Sequence, residues 1–238
     1  MLTIIPTPLG NLKDITMRAL ETLSRAEVVF CEDTRPTLAL LAHYGVRTRV
    51  ERYNEHNSSS LERALSLLRQ HSLCALVSDR GTPCISDPGW KLINAALAEG
   101  IKVESLPGPS AVACALAGSG FPVSSFVFLG FLPRRKSRIE AALRGAAALC
   151  KPVAVYESPF RIAALLEAAA RVMGPQTRVV LARELTKIHE EWLRGTVSDL
   201  AAQLRAKPPK GEFTAVFLPD ENGTEEQQEE EEIASDAD

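Results

Sequence analysis

The chain is short of almost every feature that would assign it quickly. No apolar run approaches the roughly 20 residues that span a bilayer, so the 45% hydrophobic content reads as the interior of a soluble globular protein. The opening MLTIIPTPLG has no basic stretch and no small-residue cleavage site, and reads as a first strand, not a secretory signal. Cysteine is limited to five residues, Cys31, Cys74, Cys84, Cys114 and Cys150, an odd number without zinc or redox spacing. They read as buried free thiols in a reducing cytoplasm. Four histidines are scattered without ligand spacing, so no metal is expected.

The familiar phosphate and nucleophile motifs are missing too. There is no Gly-x4-Gly-Lys-Ser/Thr loop, and the turn after the first strand, PLGN, carries one glycine where a dinucleotide fingerprint needs three. No Gly-x-Ser-x-Gly elbow occurs. Asp79 and Asp87 stand eight apart across Pro83 with no dense set of oxygen ligands, which argues against calcium. No internal repeat is present.

What is present begins with an uneven charge. The net charge is −3, yet residues 220–238 carry ten acidic side chains and no basic one. The remaining body sets 27 basic residues against 20 acidic ones, about +7, which suits a polyanionic partner. The acidic tail has little to bury and is expected to be disordered.

Along the body, strand-like and helix-like stretches alternate. Strands are expected at LTIIPTP, VVFC (28–31), LCALVS (73–78), IKVESL (101–106), FVFLGFLP (126–133), PVAVYES (152–158), RVVLARE (178–184) and FTAVFLP (213–219). Helices are expected over 14–24, 36–43, from a Ser58–Ser60 cap through Gln70, from Asp87-Pro88 to Gly100, from 110 to 120, and over 136–149, 159–173 and 196–206. The alternation predicts an α/β protein, with antiparallel strands open to the second half. It divides best into domains 1–115 and 116–219, followed by the tail at 220–238. A chain of 238 residues can bury one large core or two modest ones.

The unusual turns follow the strands: TPLGN, CEDTR, SDRGTPCISDPG, LPGPSA and YESPFR. Ligands of open α/β sheets bind outside the carboxyl ends of strands. Proline- and glycine-rich turns hold backbone amides and carbonyls at fixed angles, which suits a neutral or zwitterionic cofactor gripped through the main chain.

Taken in order, TPLGNLKDIT, CEDTR, His56-Asn57, SDRGTPCISDPG, LPGPSA, FLGFLPR, YESPFR, LARELTKIHEE, RGT and KGEF resemble one family over residues 3–218. The chain is similar to the 2′-O-ribose (cytidine) methyltransferases of small-subunit ribosomal RNA, within the tetrapyrrole-methylase-like class of S-adenosylmethionine (SAM) transferases. The resemblance implies a two-domain class III methyltransferase fold with SAM in the interdomain cleft, a homodimer, and a cytidine of the decoding region as substrate. It implies cofactor contacts at Pro8, Gly10, Asp79, Gly81, Thr82, Pro83, Ser110 and Ala111, and at Tyr156, Glu157, Ala182, Arg183, Thr214 and Ala215. Arg80 departs from the pattern, standing where relatives carry a small residue, commonly alanine.

Methyl transfer to a ribose hydroxyl needs alignment and a proton acceptor. Glu32, Asp33 and His56 are the candidates, against plainer readings of Asp33 as a helix cap paired with Arg35 and of His56 as a surface group. Arg35, Arg134, Arg135, Lys136 and Arg138 are candidate RNA-phosphate contacts. Glu157, Arg161, Glu184, Lys187, Glu190 and Glu191 read either as an ion network between domains or as substrate-facing, and Trp90 and Trp192 as packing residues. The alternative functions are methylation of a tetrapyrrole or other small molecule by the same fold, and an RNA- or nucleotide-binding relative without activity.

Overall fold

In the computed structural model, which describes residues 1–219, the chain forms two compact units that part after Ser110. The acidic stretch 220–238 lies outside the described residues. In the first unit five strands, β1 (Leu2–Ile5), β2 (Val28–Cys31), β3 (Arg49–Arg52), β4 (Cys74–Val77) and β5 (Val103–Ser105), form one parallel sheet ordered β3-β2-β4-β1-β5.

Alternation along each strand decides which helices cover which face. Leu2, Ile4, Val28, Phe30, Cys74 and Leu76 pack with α3 (Ser58–Gln70) and α4 (Trp90–Ala98). Ile5, Val29, Cys31, Ala75 and Val77 pack with α1 (Met17–Arg25) and α2 (Thr34–His43). With both faces covered, β1, β2 and β4 are buried at every position and show no polar alternation beyond Thr3. The edge strand β3, RVER, reads as neither strand nor helix in the sequence, because its charged residues keep the sheet edge exposed.

The expected helices form, with shifted starts. Asn11 caps a 3-10 turn over Leu12–Asp14, and Thr16 caps α1 by accepting from the Ala19 amide at 3.1 Å. Asn57, not the following serines, caps α3 through the Ser60 amide at 3.2 Å. Asp87 does not cap α4. Its N-cap position is Gly89, at φ 140°, and the Gly89 amide donates to Glu55 Oε2 at 2.6 Å.

The second unit begins at Ala111. Its sheet is mixed, ordered β6-β7-β10-β8-β9, from β6 (Val127–Phe131), β7 (Val153–Glu157), β8 (Arg178–Arg183), β9 (Glu191–Thr196) and β10 (Phe213–Leu218). Only β6 and β7 are parallel; the remaining pairs are antiparallel. α6 (Lys136–Ala147), α7 (Ile162–Met173) and α8 (Val197–Ala206) cover one face, with Leu143, Ile162, Leu165, Leu166 and Phe217 all but inaccessible to solvent. Each such side chain contributes about 1.5–3 kcal/mol by leaving water. α5 (Ala111–Ser119) covers the other face, packing Val112, Ala115 and Leu116 with Ala154, Ala182 and Val216. A domain boundary at 115 therefore cuts a helix that the structure keeps whole.

Two further expectations change. Cys31 and Cys74 are buried, but Cys114 and Cys150 are exposed. Burial pushes the Cys74 thiol up to about 11, so it is inert at neutral pH. Trp90 is 57% exposed and is not a packing residue, whereas Trp192 lies so close to Gly118 that a Cβ there would meet its ring at 2.4 Å.

Candidate functional site

Parallel pairing sends every strand of the first sheet in one direction, so the turns after all five strands gather along one edge. β1 leads into α1 and the adjacent β4 leads into α4 on the opposite face, so their loops diverge. This is the topological switch point where open α/β sheets place their ligands. A cleft of about 230 Å³ opens there, lined by Thr7–Gly10, by Ser78, Asp79 and Arg80, and by Pro36, Thr37 and Leu40 of α2.

The cleft wall is stitched from backbone. Thr7 and Gly81 exchange two main-chain hydrogen bonds, 2.8 and 2.9 Å long, an isolated bridge beyond the ends of β1 and β4. Thr7 Oγ1 donates to the Ser78 carbonyl at 3.0 Å, and Ser78 Oγ donates to the Gly81 carbonyl at 2.9 Å. Thr82 Oγ1 donates to the Pro109 carbonyl at 2.9 Å, adding the loop after β5. Gly81 holds φ +76°, and a Cβ on it would stand 3.1 Å from Leu9 Cδ2. Farther along the same loop Cys84 and Ser86 also take left-handed conformations, at φ 70° and 65°. Thr7 and Ser78, both almost fully buried, escaped the sequence reading although both lie inside quoted motifs. Small hydroxyl residues beside Pro and Gly look like turn formers until their partners are visible.

The expected cofactor residues of the first unit divide by role. Pro8, Gly10 and Asp79 line the cleft; Gly81 is bridged to Thr7 of its wall, Thr82 bonds to Pro109, and Pro83 is buried. Ser110 is half-buried at the end of this unit. Arg80 is exposed and lines the cleft as well.

Carboxylates crowd the same edge. Asp79 Oδ1 accepts from the Asp33 amide at 3.4 Å, joining the loops after β2 and β4. Burial pushes the Asp87 carboxyl up to about 6, with the negative charges of Asp79 and Glu32 adding to the shift. Asp33 goes the other way. Its carboxylate accepts from the Arg35 amide at 2.9 Å and from Arg35 Nε at 3.0 Å, and hydrogen bonding to that side chain draws it down to about 2. Asp33 is thus the α2 cap, and Arg35 its partner. Glu32 is exposed, and no described residue donates to its carboxylate. His56 is exposed in the turn before α3, its amide held by Asn54 Oδ1 at 2.9 Å. Among the described residues no group of three or more His, Cys, Asp or Glu is placed to hold a metal ion.

In the second unit, strand register sorts the expected residues. Tyr156, Thr214 and Ala182 pair across β7, β10 and β8, so they share the face toward α5. Ala111 opens that helix, and the next amide, of Val112, donates to Tyr156 Oη at 3.1 Å. Ala215 is one residue farther and points the other way, into the core beneath α6–α8. Glu157 is 2% exposed and paired with Arg161 at 3.1 Å; Arg183 Nε meets Glu191 at 2.8 Å. Lys187 binds Glu184 at 2.6 Å and Glu212 at 2.9 Å. These ion pairs each join two residues of the second unit. Arg134, Arg135, Lys136 and Arg138 are all exposed where α6 begins, and Arg135 at its N-cap supplies no side-chain hydrogen bond.

A family model described as Tetrapyrrole (Corrin/Porphyrin) Methylases matches residues 1–201. The chain belongs to the tetrapyrrole methylase family. Within that family it is 43% identical over 217 residues to the ribosomal RNA small subunit methyltransferase I of Thermotoga maritima, covering 91% of this chain and 97% of that one. The protein of the same name from Hydrogenobaculum sp. is 45% identical over 219 residues, covering 91% and 94%. Among solved tetrapyrrole methylase structures, the uroporphyrin-III C-methyltransferase of Thermus thermophilus, complexed with S-adenosylhomocysteine, shares the fold. Its TM-score is 0.64 at 16% identity, over 90% of this chain and 96% of that one. No helix of the described residues is long and apolar enough to cross a membrane.

Proposed function

We propose that this protein is a SAM-dependent methyltransferase that adds a 2′-O-methyl group to the ribose of a cytidine in the decoding region of small-subunit ribosomal RNA. The observation that carries this reading is the match to the methyltransferase of Thermotoga maritima, which runs over nearly the whole of both chains at 43% identity. The basic body, about +7 without the acidic tail, supports an RNA substrate over a tetrapyrrole, because a small-molecule enzyme has no need of a phosphate-tracking surface.

The residues at the switch point fit the cofactor. Gly81 leaves open a space that a Cβ would crowd, and the turn Pro8–Gly10 faces Asp79 across the cleft. In this unit Pro8, Gly10, Asp79, Gly81, Thr82 and Pro83 would hold SAM, with Ser110 beside them. In the second unit Tyr156, Ala182 and Thr214 are the side chains that share one face with Ala111 available to it. When bound, SAM supplies a methyl group already activated by its sulfonium. The chain then has to align the acceptor hydroxyl and receive its proton. Glu32 is the carboxylate for that task, since Asp33 is committed to Arg35.

We place the enzyme in the cytoplasm and expect a homodimer, which sedimentation of the purified protein tests. The decisive experiment for the activity is deletion of the gene followed by mapping of ribose methylation on the small-subunit RNA. One decoding-region cytidine should lose its 2′-O-methyl group and regain it when the gene is restored. An unchanged map overturns the reading.

A further inference from the structure

The second unit presents two exposed aromatic rings whose turns are joined. Phe160, in the turn between β7 and α7, is 95% exposed, and Phe131, at the end of β6, is 62% exposed. Singly exposed apolar residues are common on protein surfaces, so what distinguishes these two is the junction that joins their turns. Phe131 rests against Tyr156 with ring centroids 5.5 Å apart. Arg161, directly after Phe160, donates through Nη2 to the carbonyls of Leu132 and Pro133 at 3.0 and 2.9 Å, and pairs with the buried Glu157 at 3.1 Å. The turn after β6 and the turn after β7 are therefore tied by one guanidinium, and the two rings flank a fixed junction.

The charges beside this junction distinguish it from an ordinary apolar patch. Arg134, Arg135, Lys136 and Arg138 follow directly from Pro133, all exposed. Among the described residues no carboxylate lies within ion-pair distance of any of the four. Elsewhere Arg35, Arg49, Arg63, Arg69, Arg171 and Arg205 each have an acidic partner. Exposed rings beside cations that no described carboxylate compensates are complementary to unpaired bases beside phosphates, and a protein partner would have to bring a matching set of carboxylates.

We propose that Phe160 and Phe131 form a stacking platform for unpaired bases of a single-stranded RNA segment, whose phosphates are held by Arg134, Arg135, Lys136 and Arg138. This rests on the reading that the substrate is RNA, and goes beyond it by giving the rings a role in choosing unpaired over duplex RNA. Every base has a stackable face, so the platform selects single-strandedness and leaves sequence to other contacts.

The test uses the full-length protein and a short single-stranded oligoribonucleotide carrying 2-aminopurine, whose fluorescence falls when it stacks. Phe160→Ala should weaken binding about fivefold to a hundredfold and reduce the quench. Phe160→Trp should restore both. The salt dependence of binding should be unchanged by Phe160→Ala and flattened by Arg134/Arg135→Ala. Phe160 is almost wholly exposed, so an unchanged melting temperature confirms that the fold is intact. Wild-type affinity and wild-type quench in both Phe160→Ala and Phe131→Ala overturn the platform. So does a variant that dissociates an oligomer in sedimentation while binding RNA normally, which assigns the rings to a second copy of the chain. The methylation map reports on the enzyme reading separately: a wild-type enzyme that restores the methyl group while Phe160→Ala binds RNA normally sinks only the platform.

Discussion

Glu55 accepts a hydrogen bond from the amide of Gly89 at 2.6 Å. A side chain from the turn after β3 thereby caps a helix that starts in the loop after β4, a task the neighbouring Asp87-Pro88 is well placed in sequence to perform. Glu55→Ala should cost about 1–2 kcal/mol in urea denaturation, because the first turn of α4 loses its acceptor. Glu55→Gln keeps an acceptor oxygen and loses only charge at the helix N-terminus, so its cost should stay under about 1 kcal/mol.

Gly81→Ala tests the bridge that closes the cleft. The substitution forces an L-residue into φ +76° and brings a Cβ within 3.1 Å of Leu9 Cδ2. About 1–2 kcal/mol of stability should be lost, and calorimetric SAM affinity should fall by more than the melting temperature change accounts for. Wild-type SAM affinity in a folded Gly81→Ala protein would remove Gly81 from the cofactor wall.

Asp87 makes a pH-dependent cost. Its carboxyl titrates at 3.8 when unperturbed and at about 6 in the fold, so folding favours the protonated form. Below the unfolded value both states are protonated and nothing is lost. Between about 4 and 6 the unfolded chain ionises first, stability falls, and above 6 the cost is constant. Asp87→Asn should therefore stabilise the protein by about 1–2 kcal/mol at pH 7.5, with solvent screening of a half-buried group reducing the full linkage value. The gain should vanish as pH falls toward 4.

Glu157 and Arg161 form a pair in which only one partner is buried. Arg161→Met leaves a carboxylate at 2% exposure without its cation, and should cost about 3 kcal/mol or more. Glu157→Gln leaves an arginine that can still reach water and the Leu132 and Pro133 carbonyls, and should cost less. Equal losses in chemical denaturation would show that burial of Glu157 carries no penalty of its own.

The two adjacent carboxylates after β2 should separate by phenotype. Glu32→Gln should lower methyl-transfer turnover at least tenfold with SAM affinity unchanged. Asp33→Asn retains capping ability but loses the charge that holds Arg35, so it should act mainly through stability and only mildly on turnover. Matching losses of turnover in both would return Asp33 to the reaction.

Much of this was legible in the residues. Continuous apolar strands such as VVFC and CALV announce a sheet covered on both faces, whereas the starts of α3 and α4 read from Ser58–Ser60 and Asp87 moved to Asn57 and Gly89. The turns at strand ends coincide with the edge of the first sheet where the cleft opens, because such loops must accept unusual backbone angles and Gly and Pro record that need. β3 was invisible, since an edge strand protected by Arg and Glu carries no apolar period. β9, EWLRGT, lay hidden inside a stretch read as a loop motif for the same reason: its exposed edge leaves few positions to bury.

The sequence by itself determined the α/β layering, the family, the cleft-side turns and the basic start of α6, all of which depend on local chemistry or on motifs in order. Tertiary structure decided how those residues are placed. Register turned Tyr156, Ala182 and Thr214 to one face and Ala215 to the other, since neighbouring residues on a strand point oppositely. It made Asp33 the cap of α2, placed Glu55 and not Asp87 at α4, and exposed Phe160 near cations that have no acidic partner among the described residues. Side-chain partners come from strands distant in sequence, so only folding could select among groups that look equally able in the chain.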